Sequence, residues 1–493
     1  MLRKIRITLA AISFALMSLL FLDFTGVAHK WFGWMAEIQF IPAVLALNLA
    51  VIIALIVITM LFGRVYCSVI CPLGIMQDIV AFFGKKGKKK KLPYSSSKEK
   101  KWLRLTMLGI FVVTLLAGLV PVAALLDPYA SFGRIVSNLF QPIYRWGNNL
   151  FALIAEHAES YTFYEVDVWL KSIPTLIVAI VSFVAIFILA WRNGRTYCNT
   201  ICPVGTILGY LSKFSLYRPV IDTDKCVSCG LCARKCKAAC IDSKNHTIDL
   251  SRCVVCMDCI GNCSSHAISY TRRRSNAKAV ADSDASRRTF IATTLAVGTA
   301  AAMKAEGKAV DGGLAVIEDK IAPERKTRIT PPGSVSHRHF FQHCTACQLC
   351  ISACPNGVLR PSSNLETLMQ PEVSYERGYC RPECTRCSEV CPNDAILPIT
   401  REQKTATQIG HAVWIKKNCV VLTDGVQCGN CARHCPTGAI KMIATDPNKE
   451  DSPRIPMIDT ERCIGCGACE NLCPARPFSA IYVEGHENHR NNI

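Results

Sequence analysis

The sequence contains no Cys-x-x-Cys-His, so it offers no c-type haem attachment. Its four longest apolar runs hold no histidine, which leaves no bis-histidine haem between them. No glycine-rich loop follows a strand-like run, so a flavin or nicotinamide site is not expected. Acidic residues are scarce early on: residues 1–303 carry 34 Lys+Arg against 16 Asp+Glu, whereas the remainder carries 22 against 21. Nearly all of the net charge of +19 therefore lies in the first part. That excess sits beside apolar runs, so it reads as membrane topology rather than nucleic-acid binding, and no nucleic-acid partner is expected. Cysteine is missing before Cys67, yet the chain has 29 of them.

The apolar runs come first. Ile7 to Leu22, Ile41 to Phe62, Trp102 to Leu126 (interrupted by Pro121) and Ile173 to Trp191 each approach the ~20 residues a bilayer requires. Met1 to Arg6 is basic and no clear cleavage site follows, so the N-terminus is expected inside. Trp31, Phe32 and Trp34 resemble an interfacial aromatic belt on the outer loop, and Lys85, Lys86 and Lys88 to Lys91 mark the inner side. The segment from Asp127 to Lys171 is mildly acidic, with amphipathic stretches that could lie on the outer surface.

Two segments repeat. Arg64-Val65-Tyr66-Cys67-Ser68-Val69-Ile70-Cys71-Pro72-Leu73-Gly74 returns as Arg195-Thr196-Tyr197-Cys198-Asn199-Thr200-Ile201-Cys202-Pro203-Val204-Gly205, each time after an even-numbered run. Residues 1–215 thus read as a four-span helical bundle with an internal duplication. A pseudo-two-fold would bring Cys67, Cys71, Cys198 and Cys202 into one cofactor-binding quartet. Alternatively, each pair holds its own group. Arg64 and Arg195 are expected to pair structurally with a carbonyl or headgroup rather than to steady an anionic ligand.

Residues 216–275 carry Cys226, Cys229, Cys232 and Cys236, then Cys253, Cys256, Cys259 and Cys263. This is two-cluster ferredoxin spacing, in which each [4Fe–4S] cube takes three cysteines of one quartet and the fourth of the other. One cluster would use Cys226, Cys229, Cys232 and Cys263; the other Cys253, Cys256, Cys259 and Cys236. The usual proline after each fourth cysteine is replaced by Lys237 and Ser264. Cys240 is left over, as a buried small residue or an alternative ligand.

Residues 276–335 form a linker containing Ser286-Arg287-Arg288-Thr289-Phe290-Ile291 and an uncharged run to Met303. That is how a twin-arginine export signal reads, with an apolar segment in the ~7–15-residue range. Such export carries proteins already folded around a cofactor. Ala300-Ala301-Ala302 leaves both cleavage and tethering open. Residues 336–493 then supply four quartets: Cys344, Cys347, Cys350, Cys354; Cys380, Cys384, Cys387, Cys391; Cys419, Cys428, Cys431, Cys435; and Cys463, Cys466, Cys469, Cys473. Each ends in Cys-Pro, which points to four [4Fe–4S] clusters rather than zinc. Their pairing is left open. The fold class is multi-domain, a helical membrane bundle followed by α+β ferredoxin-like iron–sulfur domains. About six clusters are expected in the ferredoxin-like modules, with one more as an option at the membrane repeats.

At this point the sequence resembles two families joined end to end. Residues 1–275 are similar to the NapH-type membrane subunit of a quinol dehydrogenase, on the four runs, the two Cys-x3-Cys-Pro motifs and the two-cluster tail. Residues 286–493 look like a NapG/MauM-type polyferredoxin. The leader, Pro331-Pro332-Gly333, His343-Cys344-Thr345-Ala346-Cys347, the widened Cys419-x8-Cys428 loop and the Cys463 quartet carry this likeness. The resemblance implies a multi-pass inner-membrane protein with its C-terminal domain in the periplasm. It would oxidise quinol in anaerobic respiration and relay electrons to a periplasmic reductase, such as nitrate reductase, or to its electron-carrier subunit. Two alternatives stay open: a cytoplasmic donor feeding the first ferredoxin, and a NosR-like redox or maturation factor.

Overall fold

The computed structural model describes residues 2–86, 99–157, 159–160, 162–272, 320–446, 448 and 452–491. The twin-arginine-like segment from Ser286 to Met303 and the basic run Lys88 to Lys91 lie outside the described residues.

Apolar side chains cover both faces of helix α1 (Leu2–Leu22). Met17, Leu20 and Phe21 are buried, while Leu2, Ile5, Ile7, Leu9 and Ile12 are exposed. Among the described residues two helices, α1 and α12 (Ile173–Asn193), are long and apolar enough to cross a membrane. The other two expected spans are broken helices. Ile41 to Phe62 divides into α4 (Phe40–Leu45) and α5 (Leu49–Phe62), because Asn48 leaves the helix and its side chain accepts from Val51 N at 3.3 Å, capping a new start. Trp102 to Leu126 divides into α8 (Lys101–Leu116) and α9 (Val120–Leu126), which restarts with Pro121 in its first turn. Two short helices, α2 (Val27–Phe32) and α3 (Trp34–Glu37), connect α1 to α4 and expose Trp31 and Trp34.

The duplication is visible in the backbone. Helix α5 ends at Gly63 with φ +74°, then come Arg64, α6 (Val65–Val69) and α7 (Pro72–Lys86). Helix α12 ends at Gly194 with φ +69°, then come Arg195, α13 (Thr196–Thr200) and α14 (Pro203–Ser212). Both turns need a left-handed residue, which glycine supplies without a Cβ clash. The packing is reciprocal: α7 lies on α12, and α14 lies on α5. Helix α10 (Pro128–Ile135) packs against both α7 and α12, all eight of its residues buried. Asp127 caps it, accepting from Tyr129 N at 3.0 Å and Ala130 N at 3.1 Å, with Pro128 at the first position. A π-turn over Val136–Phe140 leads to the amphipathic α11 (Gln141–His157).

The cysteine-rich modules are small α+β units. In the first, Tyr217–Ile221 pairs antiparallel with Ile268–Arg272, and Ile241–Asp242 with Thr247–Ile248. In the C-terminal region Leu359–Pro361 pairs with Pro371–Val373, Ile440–Ala444 with Arg454–Ile458, and Thr407–Trp414 with Ile481–Asn491. The two regions occupy opposite ends of α1. Arg3 near its start binds Asp258 of the first module at 2.8 Å, whereas its far end meets the C-terminal helix Leu349–Ala353. Twenty-one residues at 1.5 Å each separate these ends by about 31 Å.

Candidate iron–sulfur sites

The repeated segments meet as one buried quartet. Cys67 and Cys198 lie in the short helices α6 and α13, Cys71 and Cys202 follow them, and all four belong to one core, each 5% exposed or less. Arg64 Nη2 donates to the Cys198 carbonyl at 3.2 Å, and Arg195 Nη1 donates to the Cys67 carbonyl at 2.6 Å. Each guanidinium thus serves the opposite repeat. Arg64 also lies 3.7 Å from Cys67 Sγ, Arg195 lies 3.9 Å from Cys198 Sγ, and Gln77 Nε2 reaches Cys198 Sγ at 3.3 Å. Both arginines therefore pair with a carbonyl and also approach a sulfur. The glycines of the motif are sites of close approach. A Cβ on Gly74 would strike the Cys67 carbonyl and sit 2.7 Å from Arg195 Nη1; on Gly205 it would strike the Cys198 carbonyl and sit 2.9 Å from Arg64 Nη2.

Two fully buried guanidiniums need anions. Arg195 Nε has Asp78 at 2.8 Å, but Asp78 also pairs with Arg6 and, at 3.4 Å, with Lys237. Arg64 Nε and Arg195 Nη2 have no hydrogen-bond partner. Four thiolates around a [4Fe–4S]²⁺ core would carry a net charge of about −2, which two arginines offset. The donor set fits such a cluster.

In the first ferredoxin module Cys236, Cys253, Cys256 and Cys259 line one cavity, the grouping expected from spacing. Cys240 lines it too, with its sulfur 3.6 Å from that of Cys236. Cys226, Cys229 and Cys232 interact electrostatically, and Cys263 packs in the same small core as Cys226 and Cys232. Lys237, where proline was expected, is a docking residue. Its ammonium bridges Asp78 at 3.4 Å and Asp258 at 3.1 Å, and its carbonyl accepts from Arg195 N at 2.9 Å. Arg64 Nη1 donates to the Ser251 carbonyl at 3.0 Å, and Asn199 to that of Ala238 at 3.2 Å. Beside this seam burial raises the Asp249 carboxyl, but hydrogen bonds from Ser251 and Arg252 outweigh it and hold the group below its usual range.

In the C-terminal region the sequential quartets regroup. Cys344, Cys347 and Cys350 share a cavity with Cys391, not Cys354. Cys354 interacts electrostatically with Cys380 and Cys387, alongside Cys384. Cys431 does so with Cys419, Cys428 and Cys473, while Cys463 and Cys466 do so with Cys435 and Cys469 adjoins them. The fourth-cysteine exchange of the first module thus occurs twice more. The second pair of sets joins the first where Cys380 N donates to the Cys466 carbonyl at 2.9 Å and Tyr375 bonds the Gly465 carbonyl. Glu470 sits at this seam; burial pushes its carboxyl up, although Arg325 at 2.5 Å opposes the shift.

Backbone geometry shows what the ferredoxin loops are for. Residues with positive φ recur beside their cysteines: Ser228, Val255 and Met257, Ala346 and Gln348, Gly465 and Gly467. Alternating right- and left-handed residues turn successive N–H groups toward one point, an anion-binding nest suited to cluster sulfurs. Among the described residues, no three His, Cys, Asp or Glu side chains close on a single-ion position.

Chain comparisons agree with this chemistry. A family described as a 4Fe-4S binding domain matches residues 44–91 and 175–219, the two halves of the quartet, and a 4Fe-4S dicluster domain matches residues 426–476. Ferredoxin-type protein NapF of Escherichia coli K12 is 31% identical over 159 residues, 32% of this chain and 87% of NapF. Methylamine utilization ferredoxin-type protein MauM of Paracoccus denitrificans is 30% identical over 182 residues, 35% of this chain and 79% of MauM. Ferredoxin-type protein NapG of Escherichia coli K12 is 26% identical over 176 residues, 33% and 75% of the two chains. No solved structure matches. Fold, thiol sets and domain matches together define a multi-domain iron–sulfur electron carrier. Over about a third of its length the chain belongs to the family of ferredoxin-type proteins that includes NapF and MauM.

Proposed function

We propose that the protein is a membrane-bound electron-transfer component that oxidises quinol and delivers electrons to a periplasmic reductase. In this reading residues 1–275 act as a NapH-like half fused to the ferredoxin-type region, and Arg287-Arg288 marks the crossing. The observation that carries it is the row of thiol sets. The first ferredoxin lies against the membrane quartet through Lys237 and Ser251, and the C-terminal sets continue from the far end of α1. Helices α1 and α12 and the exposed apolar side chains of α5, α8 and α11 suit a lipid surrounding.

The cysteines named above would hold seven clusters, each supplying a one-electron site when bound. A quinol releases two electrons and two protons, so a row of one-electron sites divides the pair. The protein's own contribution at the quartet is charge. Arg64 and Arg195 neutralise the thiolates inside an apolar core, and Asp78 keeps Arg195 oriented. Gly74 and Gly205 let the two repeats close.

The test is anaerobic titration of the purified protein with a short-chain quinol, following cluster bleaching in the visible spectrum. It is paired with protease access to a C-terminal epitope in spheroplasts. Bleaching and digestion are expected; a protein bleached only by dithionite, or an epitope protected from protease, would overturn the reading. The tight seam between the first ferredoxin and the quartet favours one second reading, in which a soluble cytoplasmic donor replaces quinol at the intake.

A further inference from the structure

We infer that α10 is an electron-coupling element that joins the membrane quartet to the Cys344, Cys347, Cys350 and Cys391 set, making the chain a continuous conductor from one end of α1 to the other. The inference rests on the proposed reading of the C-terminal sets as the outlet, and it adds a route that no apolar run suggested.

The route is built of covalent bonds, one hydrogen bond and buried contacts. Cys198 is bonded to Tyr197, whose hydroxyl donates to the Leu126 carbonyl at 3.3 Å. Leu126 leads through Asp127 and Pro128 to Tyr129, 1% exposed and within electrostatic reach of Cys347, Cys350 and Cys391. One turn on, Gly133 faces the Cys347 carbonyl so closely that a Cβ would overlap it and stand 2.7 Å from the Phe21 ring. Two further ties fix the seat: Ser137 Oγ to Ser352 Oγ at 2.8 Å, and Asn138 Nδ2 to Gln348 Oε1 at 2.7 Å. Membrane quartet, Tyr129 and the first C-terminal thiols all belong to one contiguous apolar core, whereas the last two sets lie in a separate core.

Burial decides the role of Tyr129. Its hydroxyl has no hydrogen-bond partner, so no acceptor takes its proton. The ring therefore serves as a tunnelling medium and not as a radical relay. With clusters held by both thiol sets, an electron passed along this route would leave the donor at the quartet oxidised by one electron and the acceptor at the Cys344 set reduced by one, with no bond or proton exchanged.

The experiment uses the full-length protein in liposomes, oriented with the first ferredoxin inside and loaded with dithionite in the lumen. In wild type, luminal dithionite is expected to bleach all clusters. In Gly133→Leu and Tyr129→Ala, bleaching should stop at the inner share, with the remainder at least tenfold slower, while dithionite added outside bleaches it at the normal rate. Tyr129→Phe keeps the ring and should conduct as wild type does. Hydrogen–deuterium exchange of Leu349–Ala353 gives a readout independent of the clusters; exchange should rise in Gly133→Leu. Full luminal bleaching in a Gly133→Leu protein whose Leu349–Ala353 helix has become exchange-labile would overturn the inference. So would a wild type whose outer clusters stay oxidised. If quinol still bleaches that wild type, the proposed function survives and only the route through α10 falls; if quinol fails too, both fall.

Discussion

The quartet of the repeated segments and the ferredoxin sets each offer four thiols, by different means. A ferredoxin set draws three cysteines from one loop and one from its partner, and in the Cys226, Cys253, Cys344 and Cys463 loops positive-φ residues aim backbone N–H groups at the centre. The quartet draws two cysteines from each of two segments 131 residues apart, with no positive-φ residue between either pair. Two buried guanidiniums, 3.7 and 3.9 Å from a sulfur, supplement a backbone donor, Gly205 N, which reaches Cys202 Sγ at 3.3 Å. A loop nest is local and tolerates solvent. A guanidinium pair works only if the whole bundle closes around it, so the quartet depends on tertiary packing in a way the ferredoxin sets do not.

The largest expected break in that comparison is Arg195→Met. It removes the donor to the Cys67 carbonyl and leaves Asp78 with one principal partner fewer. Breaking one side of a buried pair costs about 3–5 kcal/mol. Iron analysis should show the loss of about four irons per chain, one cluster's worth, with the ferredoxin clusters retained. Full iron content in Arg195→Met would mean that the quartet does not need its charge partner.

A smaller effect separates the two kinds of glycine. Gly205→Ala places a methyl against the Cys198 carbonyl of its own repeat and 2.9 Å from Arg64 Nη2 of the other, where backbone must move. We expect a loss of about 3 kcal/mol in thermal or denaturant unfolding. Gly425→Ala, at φ +67° in the widened loop with nothing within 4 Å, should lose only about 1 kcal/mol. Equal losses would show that the overlap with the Cys198 carbonyl is relieved by a small shift and that close packing does not set the cost at Gly205.

Much of this was legible in the sequence, for physical reasons that differ by site. Thiol spacing fixes cluster loops because a cube needs convergent ligands from a short stretch, so Cys226 to Cys263 could be paired before any fold was seen. The matched Arg-x-Tyr-Cys segments announced the duplication, and the glycine in each now has its reason in the facing carbonyl. Other features had no local signal. Asn48 reads as one polar residue in an apolar run until its side chain is seen capping α5. Asp127 to Ile135 was read as part of an outer surface segment; its Asp-Pro start is a helix-start signal, but burial of the whole of α10 depends on α7 and α12, which are distant in sequence. The exchange of Cys354 with Cys391 needs the chain path between them. Lys237 could have been noticed as a charge where a turn residue belongs, though its two carboxylate partners lie on separate elements.

Cys240 gives the mildest and sharpest test, because it asks whether a ferredoxin set ever takes a fifth thiol. Its side chain is 3% exposed, lines the cavity of Cys236, Cys253, Cys256 and Cys259, and approaches Cys236 at 3.6 Å. Cys236 and Cys253 are already placed by the fourth-cysteine rule, so Cys240 is redundant as a ligand and acts as a small buried wall of the cavity. Cys240→Ala should leave iron content and the cluster spectrum unchanged and cost about 1 kcal/mol or less, the loss of one buried sulfur. Cys236→Ala is the comparison. If Cys240 stays a wall, that variant loses one cluster. If the cluster persists in Cys236→Ala and vanishes only in the double variant, Cys240 is a standby ligand, and the ferredoxin set is more adaptable than the rigid, arginine-clamped quartet beside it.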